Sequence, residues 1–265
     1  MPDFGTRVNE RGTKMRGTII AVWNLKGGTG KTATTINLAY DLSQMGKKVL
    51  AVDFDPQTNT TPIFTKANES GHTVRDIMEA SCQAARAVYR TKYRNIDIIK
   101  GSRSSGEGYR TDILKGALMP LRSRYDAILI DCQPSSSSFT RNALYAADLV
   151  LTPAVLDRFC LDNLNSVRDI LSELEEERGM EIEWRVFANR VRNLRSQKNI
   201  YADIMGKSNY PFLDVCISDR AEVPNSLAMR KPLDRHAKGS VVAGEFRELA
   251  QAFRALGEEA AYGEF

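Results

Sequence analysis

The chain has almost no histidine, little cysteine and no long apolar run. His72 and His236 sit in no motif, and Cys82, Cys132, Cys160 and Cys216 are widely spaced without a C-x-x-C pair. Zinc sites and iron–sulfur clusters need clustered thiolates or imidazoles, so both are argued against, and the cysteines read as reduced, small apolar residues of a cytosolic protein. No apolar stretch approaches the ~20 residues that span a bilayer. The first sixteen residues carry Arg7, Arg11, Lys14 and Arg16 but no apolar h-region, which argues against a secretory signal and predicts a basic, disordered arm over 1–16. Nothing before Thr18 is long enough for a helix-turn-helix domain, so sequence-specific operator binding is not expected. At 42% hydrophobic and 26% charged residues, the composition is that of an ordinary globular protein, and 17–265 is read as one domain.

What the chain does have is a phosphate cradle. Residues 24 to 32 read Asn24-Leu25-Lys26-Gly27-Gly28-Thr29-Gly30-Lys31-Thr32, between an apolar strand-like run and an amphipathic helix-like run. Glycines allow a tight turn whose N–H groups converge on phosphate oxygens, Lys31 supplies a cation for the β- and γ-phosphates, and Thr32 offers a hydroxyl to Mg²⁺. Six fixed residues of this kind arise by chance in such a chain with probability on the order of 10⁻⁵. Gly27, Gly28, Thr29, Gly30, Lys31, Thr32 and Ala33 are therefore the expected nucleotide contacts.

Residues 17–23 form a nearly continuous apolar run, as a parallel strand buried on both faces requires. From Lys31 to Met45 apolar residues recur at helical spacing, with Gly46 as the stop. Further strands are predicted at 49–52, 96–99, 127–130, 149–151, 184–187 and 212–217, and a helix over 159–178 with Leu161, Leu164, Val167, Leu171 and Leu174 on one face. Strand–helix alternation predicts an α/β fold with a doubly wound, mainly parallel sheet and its ligand at the strands' carboxyl ends. The stretch from Gly101 to Gly108 reads as a surface loop. The second strand runs straight into Asp53-Phe54-Asp55, where a fold of this kind aims carboxylates at the γ-phosphate, and the strand 127–130 delivers Asp131.

Two details sharpen this into a resemblance. Lys26 is extra to an ordinary phosphate loop and Leu25 stands where its first glycine would be; Asp53-Phe54-Asp55-Pro56-Gln57-Thr58-Asn59 matches the pattern D-x-D-P-Q-x-N. The chain thus resembles the ParA/MinD family of deviant P-loop ATPases, in its ParA/Soj partition branch. The resemblance implies ATP and Mg²⁺ as cofactors, a homodimer formed with ATP, and Lys26 reaching across its interface to the other subunit's phosphates. It implies that Asp55 positions the attacking water, that Asp53 lies near Mg²⁺ and its waters, that Asp131 holds Mg²⁺ through water, and that Asn189 reads the adenine edge. Catalysis would rest on Lys26, Lys31 and Asp55. The sequence departs from the family at Gln133, where a proline is usual, and at Ala33, where most relatives carry a second hydroxyl.

From Trp184 to Ser240 there are eleven Lys/Arg against five Asp/Glu, in a chain whose overall charge is only +4. Such asymmetry fits either a nucleic-acid face or a solvated rim. Family resemblance favours non-specific DNA, with Arg190, Arg192, Arg195, Lys198, Arg230 and Lys231 as the contacts, and a ParB-like cargo-bound partner that stimulates hydrolysis. The protein is then expected to be cytoplasmic, and nucleoid-associated when ATP-bound. The rivals are a MinD-like membrane-cycling ATPase, disfavoured because the segment from Glu245 onward is net acidic rather than basic, and a metabolic ATP-dependent enzyme on the same fold.

Overall fold

Strands that are apolar on both faces must be covered on both sides, so their alternation with amphipathic segments produces a sheet between two helical layers. The structure, a computed structural model, describes residues 17–65, 71–104, 106–192, 195–207 and 210–262. The basic arm expected over 1–16 lies outside the described residues. The strands are β1 (Thr18–Val22), β2 (Val49–Phe54), β3 (Val88–Arg90), β4 (Ile96–Ile99), β5 (Ala127–Cys132), β6 (Leu149–Val155), β7 (Glu183–Val191) and β8 (Phe212–Ser218). They form one sheet in the order β3-β4-β2-β5-β1-β6-β7-β8, parallel throughout except for β3 on β4. The helices are α1 (Lys31–Gln44), α2 (Thr61–Phe64), α3 (Val74–Met78), α4 (Ile113–Leu118), α5 (Ser138–Ala146), α6 (Cys160–Arg178), α7 (Arg195–Lys207), α8 (Glu222–Ala228), α9 (Leu233–Ala237) and α10 (Val241–Tyr262).

The period-two geometry of β1 divides its side chains between the layers. Ile19 and Ala21 join Leu114, Phe139, Val167 and Leu171 from α4, α5 and α6, whereas Ile20 and Val22 join Ile36 and Leu38 of α1 with Phe246 and Leu249 of α10. Each such large side chain contributes about 1.5–3 kcal/mol on burial. Among the described residues no helix is long and apolar enough to cross a membrane.

The expected elements are present, with corrections at their ends. The strands predicted at 49–52, 127–130 and 149–151 each extend further, and the one predicted at 184–187 runs from Glu183 to Val191, so Asn189 and Arg190 lie inside β7 rather than after it. Polar residues resemble strand ends, but ladder pairing such as Val155 with Asn189 continues past them. β3 was not anticipated: three residues without an apolar alternation carry too little pattern. Helix α6 ends as expected, with Gly179 at φ 68 capping it, but of the expected face only Val167, Leu171 and Leu174 join the main core, while Leu161 and Leu164 pack on a small separate cluster with Leu156 and Val186. The 101–108 stretch is not wholly a surface loop. Gly101 N–H donates to Thr61 Oγ1 at 3.0 Å, and a Cβ there would come within 2.8 Å of the Asp53 carboxyl carbon.

Asp41 of α1 is an acid inside this packing. Burial, reinforced by Asp234 of α9 and opposed by Arg247 of α10, pushes its carboxyl from 3.8 up to about 7. A raised carboxyl favours the folded state at low pH, and that advantage is lost as pH climbs to about 7. The permanently neutral Asp41→Asn should therefore be more stable than wild type by on the order of 2–4 kcal/mol at about pH 8, and nearly equal to it at about pH 4. Thermal melts at the two pH values check this; equal differences at both would refute it.

Candidate functional site

The site is assembled at the carboxyl ends of β1, β2, β5 and β7. Directly after β1 come Trp23, whose Nε1 donates to Ser135 O at 3.0 Å, and fully buried Asn24. Asn24 Nδ2 donates to Pro153 O at 2.9 Å, while its Oδ1 accepts from Lys26 N at 2.9 Å and Asn163 Nδ2 at 2.8 Å. This residue bolts the start of the loop to β6 and α6.

The loop then needs glycine at Gly30, which sits at φ 97 as the N-cap of α1 and faces Asn189 so closely that a Cβ would lie 2.3 Å from Nδ2. From β7, Asn189 Nδ2 donates to Thr29 O at 2.6 Å and Arg190 Nη1 to Gly28 O at 3.2 Å, bracing the cradle from the side. With no side-chain cap on α1, its first N–H groups and its dipole are directed at the loop, the arrangement that suits an anion. Lys31 is buried, and its Nζ donates to Lys26 O at 2.9 Å. Burial lowers its pKa, with Asp131 and Asp55 among the groups opposing that shift. Ala33 is buried beside Thr34 and Thr35, whose hydroxyls donate to Gly30 O at 2.8 Å and Lys31 O at 3.1 Å, so neither takes the place of the absent hydroxyl.

Asp53 and Asp131 are opposite one another in the β2–β5 register, and both are fully buried. Burial pushes Asp53 up to about 6 against the hydrogen bonds it accepts from Thr61 N at 2.8 Å and Thr61 Oγ1 at 2.5 Å. Burial and then the neighbouring Asp53 push Asp131 up to about 7, opposed by the Thr60 and Thr32 hydroxyls, the former donating at 2.7 Å. In each acid Oδ1 is buried without a hydrogen-bond partner. Two orphaned carboxylate oxygens side by side are costly unless a cation or its waters satisfy them. Among the described residues no cluster of three His, Cys, Asp or Glu could hold a metal unaided. A divalent ion here would therefore use Thr32 and Asp131, with Asp53 toward its waters, and complete its shell with phosphate oxygens and water.

Asp55 lies just beyond β2 and is almost wholly buried. Its Oδ1 accepts from Gln57 N at 2.9 Å and its backbone carbonyl from Thr58 N at 2.8 Å, a turn that holds Thr58 at φ 50. After Asp131, Gln133 Nε2 donates to Ser137 Oγ at 2.9 Å, so a side-chain hydrogen bond ties down the loop where proline is usual. The Lys26 ammonium is ion-paired with Asp157, beyond β6, and its side chain remains 33% exposed next to the exposed ring of Phe159.

The six basic residues expected to contact DNA do not form one cluster. Arg190 and Arg192 converge on Asp219, at 3.3 Å and 2.5 Å, and their hydrogen bonds outweigh burial to hold its carboxyl below the usual range. Arg192 and Lys198 line a hollow of about 540 Å³ with Tyr201 and Arg220, and Arg195 is exposed on α7. Arg230 and Lys231 line a different cavity. Asn24, Thr60, Thr61, Asp157 and Asp219 were not anticipated from sequence. Only the hydroxyl pair Thr60-Thr61 carries a local signal, five and six residues past the Asp-Phe-Asp.

A family model described as an AAA domain matches residues 17–184. The sporulation initiation inhibitor protein Soj of Bacillus subtilis is 35% identical over 161 residues, 57% of this chain and 63% of Soj. Thus the match spans about three fifths of the length of the first curated relatives. Among solved structures, a variant of McdA from Cyanothece in complex with ATP superimposes with a TM-score of 0.78 at 23% identity, covering 92% of this chain and 97% of McdA. The cell-division ATPase MinD of Pyrococcus furiosus superimposes at 0.77 with 23% identity, covering 91% and 99%.

Proposed function

The chain belongs to the ParA/MinD family of P-loop ATPases, and from that premise we propose that it is a partition ATPase: Mg·ATP joins two copies, the dimer holds DNA without sequence preference, and a ParB-like cargo-bound partner triggers hydrolysis and release. Lys31 and the N–H groups of residues 27–33 bind the phosphates, Thr32 and Asp131 would hold Mg²⁺, and Asp55 orients the attacking water. Mg²⁺ supplies neutralisation of phosphate charge in such chemistry, which is mostly positioning and electrostatics. Asn189 braces the loop and presents its edge of the site to the adenine.

The observation that carries this reading is the pairing of Lys26. Its carbonyl accepts Lys31 Nζ inside the cradle, while its own ammonium pairs with a partly exposed acid. A partly exposed cation of the phosphate loop, held by an acid outside that loop, is suited to a second copy's nucleotide once Asp157 releases it. On the DNA face, Arg190 and Arg192 share one carboxylate, which leaves net positive charge there together with Arg195 and Lys198. As far as Phe253, the apolar side of α10 packs into the core through Val242, Phe246, Leu249 and Phe253, which weighs against a membrane-surface role for that part of the helix.

The test is retention on DNA with ATP, ADP or no nucleotide across a salt series. Wild type should be retained with Mg·ATP alone and released as salt rises, because phosphate contacts displace counterions. Lys26→Ala should bind nucleotide yet be retained no better with ATP than with ADP. Nucleotide-independent retention by wild type, or ATP-dependent retention by Lys26→Ala, would overturn the proposal.

A further inference from the structure

A second cavity, of about 890 Å³, contains no residue of the 24–32 loop. Five cations line it: Lys92 and Arg94 from the turn between β3 and β4, Arg230 and Lys231 from the turn after α8, and Arg235 from α9. Among the described residues no carboxylate does. Among the described residues none of the five is ion-paired with an acid; Asp234, the nearest in sequence to Arg235, is engaged by Arg247. Lys92 Nζ instead donates to Arg230 O at 3.4 Å, which holds two of the contributing turns together.

The wall between these cations is aromatic. Tyr93 meets Tyr40 edge-on with ring centroids 5.5 Å apart and Phe64 edge-on at 6.0 Å, and Lys92 lies 5.3 Å from the Tyr93 centroid. Phe64 ends α2, the short helix whose Thr61, with Thr60 before it, holds Asp53 and Asp131. The cavity therefore backs onto the element that orients the buried carboxylates of the phosphate-loop site.

Five like charges around one concavity repel each other, and the repulsion grows as their surroundings lose water. A cleft of one sign with low-dielectric walls focuses its field on an anion. Arginine and lysine together match phosphate oxygens, the former bidentately, while Tyr93 with the apolar wall suits a flat ring. The volume falls within the roughly 300–1,000 Å³ of small-molecule sites. A DNA duplex is convex and keeps its bases stacked inside, so its phosphates would reach the rim and leave the aromatic wall unused. We infer that this cavity binds a small nucleotide carrying two or more phosphates, separately from the phosphate loop.

The test uses the full chain. Mg·ADP affinity is measured first, which reads the phosphate-loop site by itself; GTP, inorganic tripolyphosphate and a short DNA duplex are then titrated calorimetrically under saturating Mg·ADP. GTP should bind with one further equivalent, and tripolyphosphate about tenfold more weakly. The exposed double reversal Lys92→Glu with Arg94→Glu should weaken both by at least about tenfold and leave Mg·ADP affinity unchanged. Tyr93→Ala should weaken GTP but not tripolyphosphate. Absence of GTP binding to wild type, or GTP binding by the double reversal equal to wild type, would overturn the inference. So would loss of duplex affinity alone in that variant, which would assign the patch to nucleic acid.

Discussion

Alanine at Lys31 is expected to lower ATP affinity by roughly 10²–10⁴-fold, the loss of about two charge-assisted hydrogen bonds to phosphate. The reason lies in how the side chain is held. Lys31 is buried, its pKa is lowered by that burial, and its ammonium is tied to the Lys26 carbonyl, so the cation is already desolvated before any ligand arrives. An anion placed in the cradle gains the full benefit of a charge that water does not screen. For the same reason the substitution removes a costly group from the empty site, and its melting temperature without nucleotide should not fall. A fluorescent-nucleotide titration alongside a thermal melt checks both parts. Affinity within about threefold of wild type would show that the backbone N–H groups alone hold the phosphates.

The second large effect concerns Asp55. Removing its carboxylate should cut phosphate release by about 10²–10⁴-fold, the range for a lost positioning or general-base group, with ATP affinity little changed. Because hydrolysis would no longer reset the assembly, Asp55→Ala should accumulate as an ATP-bound dimer in sedimentation. The side chain also has a structural task, since Oδ1 accepts the Gln57 N–H within the turn after β2. Asp55→Asn separates the two roles: its amide oxygen can keep that hydrogen bond while the charge is lost. Both variants should therefore be equally slow, and only the alanine should perturb the turn. Normal turnover by either would remove Asp55 from the proposed chemistry.

Much of the site was legible because its parts are local. A strand that ends in a glycine-rich turn and a Gly-Lys-Thr helix start is spelled within about fifteen consecutive residues, and Asp53, Asp55 and Asp131 each stand at the end of an apolar run. What was not legible comes from distant segments. Asn24 works through Pro153 and Asn163, Lys26 through Asp157, and the Asp53–Asp131 pair depends on a register between strands seventy-eight residues apart. The ends of β7 were misplaced because polar residues in a strand look like its termination until a neighbouring strand supplies their partners. The aromatic, cationic cavity had no sequence signature, since its lining is drawn from α1, α2, the β3–β4 turn, the turn after α8, and α9.

The amino-acid order by itself determined the α/β alternation, the buried parallel strands and the phosphate cradle, because these follow from side-chain periodicity and from backbone freedom at glycine, which act over a few residues. Only the tertiary structure decided which charges are neutralised and which are not. It joins Arg190 and Arg192 to Asp219, turns Lys26 toward Asp157, and leaves Asp53 and Asp131 with unpartnered oxygens. Electrostatic partnership depends on distance and burial in space, and neither is written in the spacing of residues along the chain.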